Sequence, residues 1–338
     1  MAVSVGSTIT AAQYNGLQSR VEAILGNGSG NEGYGQTVSS SQVSGESSVG
    51  AGDGDIVTHT ELRKVWTDMN TCWQHIYGEA LPLRNFEEGD VIGADASGTG
   101  LTYDGDNYTF DNQDNTGGFN DYLSKMSEIE TDRFLMDDGE DSIDDIAASS
   151  RTSSWNGTIN CTFRCTFDDA DHRRHYFNSG GYIYIELSGS NGSGSKASDW
   201  NSMITNPGQV QFGYNYTTVS GSTTGVTLNS IGNFDVTSTT FTTIFTKTGN
   251  ADVYAENDYI VQVRQALTAD GGAAALEFRV ILQDDDTGDP PIVPVPIGGE
   301  PDGVDEDVNL DVVATLGGRR ADGAVTVNHP SVTVVDEL

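Results

Sequence analysis

Lysine is nearly missing from this chain. Among 338 residues only Lys64, Lys125, Lys196 and Lys247 are lysine, and 16 basic residues face 50 acidic ones, a formal net charge of −34. Such a surface offers no basic patch to displace counterions from a nucleic-acid backbone, so neither DNA nor RNA is an expected partner. Anionic membranes are poor partners for the same reason. Acidic excess with little lysine suits a protein working in high salt, where self-repulsion is screened; an ordinary acidic protein of a marine or fresh medium fits equally.

Other things are scarce too. There are 3 cysteines, so not all can pair. Cys161 and Cys165, four apart on one strand, stand roughly 13 Å apart at strand rise, beyond disulfide reach. With His172 and His175 they imitate a zinc finger, but the histidine spacing is too tight and both cysteines share a face with Phe163 and Phe167. Buried thiols are therefore expected, and no zinc. No apolar run reaches membrane-spanning length. Met1 to Thr10 has neither a basic nor an apolar segment, so no signal peptide is expected. Gly-x-Ser-x-Gly, Walker and His-Glu-x-x-His patterns do not occur. Carboxylates are too common to mark a glycosidase pair; Asp168, Asp169 and Asp171 beside His172 read as a solvated turn.

What is abundant is glycine, 41 residues, with serine, threonine and asparagine. This favours short strands and turns over a helical bundle. Thr10-Ala-Ala-Gln13 reads as a capping box, followed by Tyr14, Leu17, Val21, Ile24 and Leu25 at helical spacing and Gly26 as a stop. Thr58-His-Thr-Glu61 opens a second helix whose stripe runs through Leu62, Val65, Trp66, Met69, Trp73 and Ile76 to Gly78. The two helices are expected to pair antiparallel or to pack on a neighbouring subunit. The Gly/Ser run between them, residues 26–57, reads as a linker ordered by neighbours in an assembly, not as a dinucleotide loop, because its glycines follow a helix. Phe119, Tyr122, Leu123, Met126 and Ile129 suggest a third helix.

From Asp144 to Asp284 the pattern is strand-like, with candidates at 158–167, 176–188, 208–219, 225–229, 241–247, 258–268 and 273–284. Cys161, Phe163, Cys165 and Phe167 share one face. The runs either side of a polar bend read as an antiparallel pair, with Asn178 to Gly181 as a bulge that redirects the second strand. Asp289-Pro-Pro-Ile-Val-Pro-Val-Pro is an extended spacer. Beyond it, 308–314, 323–327 and 332–335 alternate again. The expected class is mainly β with a helical N-terminal part: an antiparallel, jelly-roll-like sandwich plus two or three helices and a small C-terminal β element. The expected divisions are 1–85, a helical attachment region; 86–150, an acidic connector with a helix; 151–286, the sandwich; and 287–338, spacer and C-terminal arm.

Calcium is the one cofactor the spacing suggests. Asp302, Asp305, Asp307, Asn309 and Asp311 are spaced like oxygen donors, as are Asp104, Asp106, Asp111 and Asp114, without the central Gly and distal Glu of an EF-hand. Arg173 and Arg174 either clamp a carboxylate or a neighbouring acidic surface, or stand exposed or locally bridged.

The run His172-Arg-Arg-His-Tyr-Phe-Asn-Ser-Gly-Gly181 entering Tyr-Ile-Tyr-Ile resembles a motif of largely uncharacterised virion proteins of tailed phages. Pieces similar to theirs follow in the same order: Trp200 in Ser-Asp-Trp-Asn-Ser-Met-Ile, Gly208-Gln-Val-Gln-Phe-Gly, and Tyr254-Ala-Glu-Asn-Asp-Tyr-Ile-Val-Gln-Val. The N-terminal Thr10 to Gly26 and Gly33-Tyr-Gly-Gln are similar as well. The resemblance implies a non-enzymatic component of a virion, in a tail, baseplate, neck or fibre, partnered by other virion proteins, by copies of itself and, if it attaches to a host, by surface glycans. A carbohydrate-binding adhesin is the alternative, and a tail-borne polysaccharide hydrolase a third.

Overall fold

The computed structural model describes residues 9–27, 32–43, 57–83, 85–86, 100–103, 108–111, 118–249, 255–285 and 307–338. Most of the linker at 26–57, the segment from Asp90 to Asp95, the Asp104/Asp106/Asp114 run and the Pro-rich spacer lie outside them. The chain forms two compact units: residues 1–142, 174–180 and 320–328, and residues 143–173, 181–319 and 329–338. The composition suggested consecutive divisions; the units instead interleave along the chain.

The first unit holds three helices, α1 (Ala11–Leu25), α2 (His59–Tyr77) and α3 (Phe119–Asp132), and a hairpin of β1 (Gly100–Tyr103) and β2 (Tyr108–Asp111). Both expected capping boxes form, at Thr10 with Gln13 and at Thr58 with Glu61, and Gly78 ends α2 in the left-handed region. The apolar stripes meet in a core of Tyr14, Leu17, Val21, Val65, Met69, Tyr122 and Met126. Arg20 forks onto Glu130 with two contacts of 2.7 Å, tying α1 to α3.

The first two helices do not run antiparallel. Tyr14, early in α1, donates to the carbonyl of Glu61, early in α2. At the other end Tyr34 N–H donates to the Ile24 carbonyl while its ring lies 5.0 Å from His75. The helices therefore run in the same sense, and residues 32–43 return along them as an extended strap. Asn15 and Gln18 bond the strap at Val43 and Ser40, and the buried Asp68 carboxylate accepts from Ser39 and Ser40 N–H at 3.0 and 2.8 Å. The Gly/Ser composition hid this, because the partners are backbone amides that any sequence supplies. This part of the expected linker is ordered by its own chain.

The second unit is a sandwich of two antiparallel sheets. Its strands are β3 (Asp141–Arg151), β4 (Thr158–Thr166), β5 (Tyr182–Ser190), β6 (Val210–Phe212), β7 (Thr217–Val219), β8 (Val226–Leu228), β9 (Thr242–Thr248), β10 (Asp258–Gln265), β11 (Ala275–Gln283), β12 (Asp311–Ala321) and β13 (Ser331–Asp336). One sheet has the order β13-β4-β11-β10-β9-β8, the other β3-β12-β5-β6-β7. Cys161, Phe163 and Cys165 pair in register with Val280, Phe278 and Leu276, all buried on one face as the alternation required. Across the interior, Phe278 meets Phe212 edge-on at 5.4 Å, which joins the six-stranded sheet to the five-stranded one. The mainly β, sandwich-like class with N-terminal helices is what the chain adopts.

Three local expectations change. First, the polar bend is a helix, α4 (Ala170–Asn178). The runs flanking it are not paired with each other: β4 lies in one sheet and β5 in the other. Both faces of Tyr182 to Ile185 are buried, so this strand does not alternate inside with outside. Secondly, Asn178 to Gly181 is not a bulge but the end of α4, with Gly180 at φ +80° as its left-handed terminus. Thirdly, the C-terminal strands are not an arm. β12 pairs along its length with β5 in the middle of its sheet, and β13 pairs with β4 at the edge of the other. The alternating residues of β12 are buried because β3 and β5 flank it, which a detached arm lacks; β13, with β4 as its one partner strand, keeps its side chains half-buried or exposed. A further helix, α5 (Ser195–Thr205), packs on β5.

Candidate functional site

A concavity of the sandwich unit follows from a run of small residues. β5 ends in Ser-Gly-Ser-Asn-Gly-Ser-Gly, which turns tightly, with Asn191 at φ +55° and Gly194 at φ +90°. Gly194 caps α5 without a side-chain hydrogen bond. Facing this turn is the extended stretch 307–311. Val308 and Leu310 point inward, and Val308 exchanges both backbone hydrogen bonds with Trp155. Asp307, Asn309 and Asp311 take the alternate face. The result is a cleft of about 270 Å³ lined by Ser190, Asn191, Ser198, Asn201 and Leu310 among others.

This places three of the five expected calcium ligands. The Asn309 amide donates to Ser193 Oγ at 2.7 Å, and the Asn191 amide donates to Asp311 Oδ2 at 2.7 Å. Asn309 and Asp311 thus hold the 189–194 turn. Asp302 and Asp305 lie outside the described residues, and among the described residues no group of three or more His, Cys, Asp and Glu side chains gathers for an ion.

The Cys/His constellation resolves into separate roles. Cys161 and Cys165 are buried in the sandwich, and burial pushes the Cys161 thiol up to about 12 and the Cys165 thiol higher still. His172 accepts from the Asp168 amide through Nδ1 at 3.2 Å and sets its ring edge-on to Phe167. His175 is buried further along α4. Arg173 is buried and bridged within the chain, and clamps no carboxylate among the described residues. Its guanidinium donates to the Asn233 side chain at 2.7 Å and to the carbonyls of Asn233, Val236 and Ala273. Burial lowers its pKa to about 10.

Two ionic groupings escaped the sequence. On the outer face of the six-stranded sheet, Glu277 receives Arg164 Nε at 2.8 Å and Arg264 Nε at 2.7 Å from the strands on either side. Burial alone would raise the Glu277 carboxyl; the hydrogen bonds from the two arginines outweigh it and hold the pKa below the usual carboxylate range. Arg264 and Arg279 also stack on the Phe241 ring, 4.3 and 3.8 Å from its centre. The second grouping concerns lysine: two of the four are buried. Lys247 donates to the Thr248 carbonyl at 2.6 Å. Lys196 meets the Asp284 carboxylate at 2.8 Å, with both side chains almost wholly out of solvent. Lysine is seldom buried unpaired, and the scarcity of lysine in this chain is the one sequence signal that bears on the pair.

The helical unit has a second cleft, of about 510 Å³, between α1 and the strap; Glu22, Gln36 and Gln42 supply its polar lining. No family model, no curated protein and no solved structure matches this chain.

Proposed function

We propose that the chain is a non-enzymatic structural component of a tailed-virus particle, in a tail, baseplate, neck or fibre, assembling with other virion proteins and with copies of itself. The observation that carries this reading is how the run resembling virion proteins, His172 to Gly181, spends its polar groups. Arg173 is held by the side chain of Asn233 and three backbone carbonyls. Asn178 donates to the Gly33 carbonyl, and Ser179 Oγ to that of Tyr176. A motif built this way serves architecture; a catalytic motif keeps a nucleophile or base facing a cleft. The acidic surface supports the same reading, since it suits assembly with proteins more than binding of nucleic acid.

The adhesin reading has one specific support, the amide- and hydroxyl-lined cleft at 189–201. Sedimentation of the full chain in molar salt tests the assembly reading. A defined oligomer is expected; a monomer that binds a glycan array through this cleft would favour the adhesin.

A further inference from the structure

The Lys196–Asp284 pair is unusual in its setting. Lys196 lies in the first turn of α5, one helical turn before Trp200, which meets Trp155 edge-on at 4.8 Å. Asp284 follows β11 and is pinned through its backbone on both sides. Its N–H donates to the Gly157 carbonyl at 3.1 Å, and the next N–H, of Asp285, donates to the fully buried Asn257 side chain at 3.0 Å. Between these anchors Nζ and Oδ2 stand 2.8 Å apart, with side-chain exposures of 3% and 0%. Two charges held dry are costly to desolvate, and their attraction returns that cost only in part.

We infer that Lys196 and Asp284 condense into an intramolecular amide once the sandwich has folded. The chemistry balances within the pair. Burial favours proton transfer from the ammonium to the carboxylate, giving an amine and a carboxylic acid. A desolvated lysine amine is a competent nucleophile. Nζ attacks Cγ, the Nζ–Cγ bond forms, and the Cγ–O bond breaks. The hydroxyl departs with a proton from nitrogen, so the ammonium and carboxylate become one amide and one water, with no oxidant or co-reactant. Fixing both groups on rigid elements at contact distance supplies the effective concentration that such a condensation needs. The amide removes both buried charges and ties α5 to the end of β11. This inference does not depend on where the chain works.

The test is the intact mass of the full chain after folding, read in denaturant, beside the variants Lys196→Arg and Asp284→Ala. The wild type should weigh about 18 Da less than its sequence, one water, and each variant should show its full sequence mass. A tryptic digest of the wild type should hold a branched peptide joining the two segments. Because the mass is read unfolded, a variant that folds poorly still reports. Wild type at full sequence mass, or the same deficit in both variants, would overturn the inference.

Discussion

Arg164 on β4 stands directly opposite Glu277 on β11, and its Nε reaches Oε1 at 2.8 Å although 113 positions separate them in the chain. Arg264 completes the row from β10, in register with the same glutamate. With the Glu277 side chain 1% exposed, removing it takes away the acceptor the two arginines share and leaves Arg164 with Asp270, 3.1 Å away.

Glu277→Ala should therefore cost about 1.5–3 kcal/mol, read from urea unfolding. The sign with pH follows from the lowered carboxyl pKa. Stability from this group is complete above the unfolded glutamate pKa of about 4.3 and is lost as pH falls through the lower folded value. The gap between wild type and Glu277→Gln should shrink in acid; a gap independent of pH would assign the row no ionic role.

Gly180 is the second test. Its φ is +80°, and an added Cβ would lie 2.9 Å from Met136 Cβ and 3.2 Å from the backbone at Leu135. Gly180→Ala should cost about 1–3 kcal/mol from the backbone conformation alone, and Gly181→Ala clearly less. Equal costs at the two positions would contradict the helix end placed here.

The thiols give a third. Cys72, Cys161 and Cys165 are all free and buried, and burial raises each thiol pKa. The native chain should not react with a thiol reagent at neutral pH, and the denatured chain should react at all three. Elemental analysis should find no stoichiometric zinc, and His172→Ala with His175→Ala should leave chelator sensitivity unchanged. Zinc lost in that double variant would revive the Cys/His site.

Salt gives a fourth. With a net charge of −34, the melting temperature should rise from low to molar salt as self-repulsion is screened. A flat or falling temperature would count against net charge as a limit on stability.

Legibility in the sequence followed the range of the interactions. Thr10 with Gln13 and Thr58 with Glu61 are three apart, so both caps could be read locally. Cys161 to Phe167 alternates because one face is buried, which is also local. Helix α4 escaped because nine residues with only Tyr176 and Phe177 as large apolar groups set no period, and because the buried Arg173 looks like a surface residue. Sheet membership escaped too: β4 and β5 are consecutive strands in different sheets, and β12 enters between β3 and β5 from the far end of the chain. At the candidate site, the donor spacing of Asn309 and Asp311 was visible, but their partners Ser193 and Asn191, more than a hundred positions away, were not. Lys196 and Asp284 sit in plain Ser- and Asp-rich surroundings, and nothing local marks them as a pair.

The most direct measurement on the central reading is where the chain resides in its source culture. Gradient-purified particles should contain it in fixed stoichiometry, and a gold-labelled antibody against the sandwich should mark one part of the tail, baseplate, neck or fibre. Its absence from particles, with the chain found only on cells or free in the medium, would contradict the proposal.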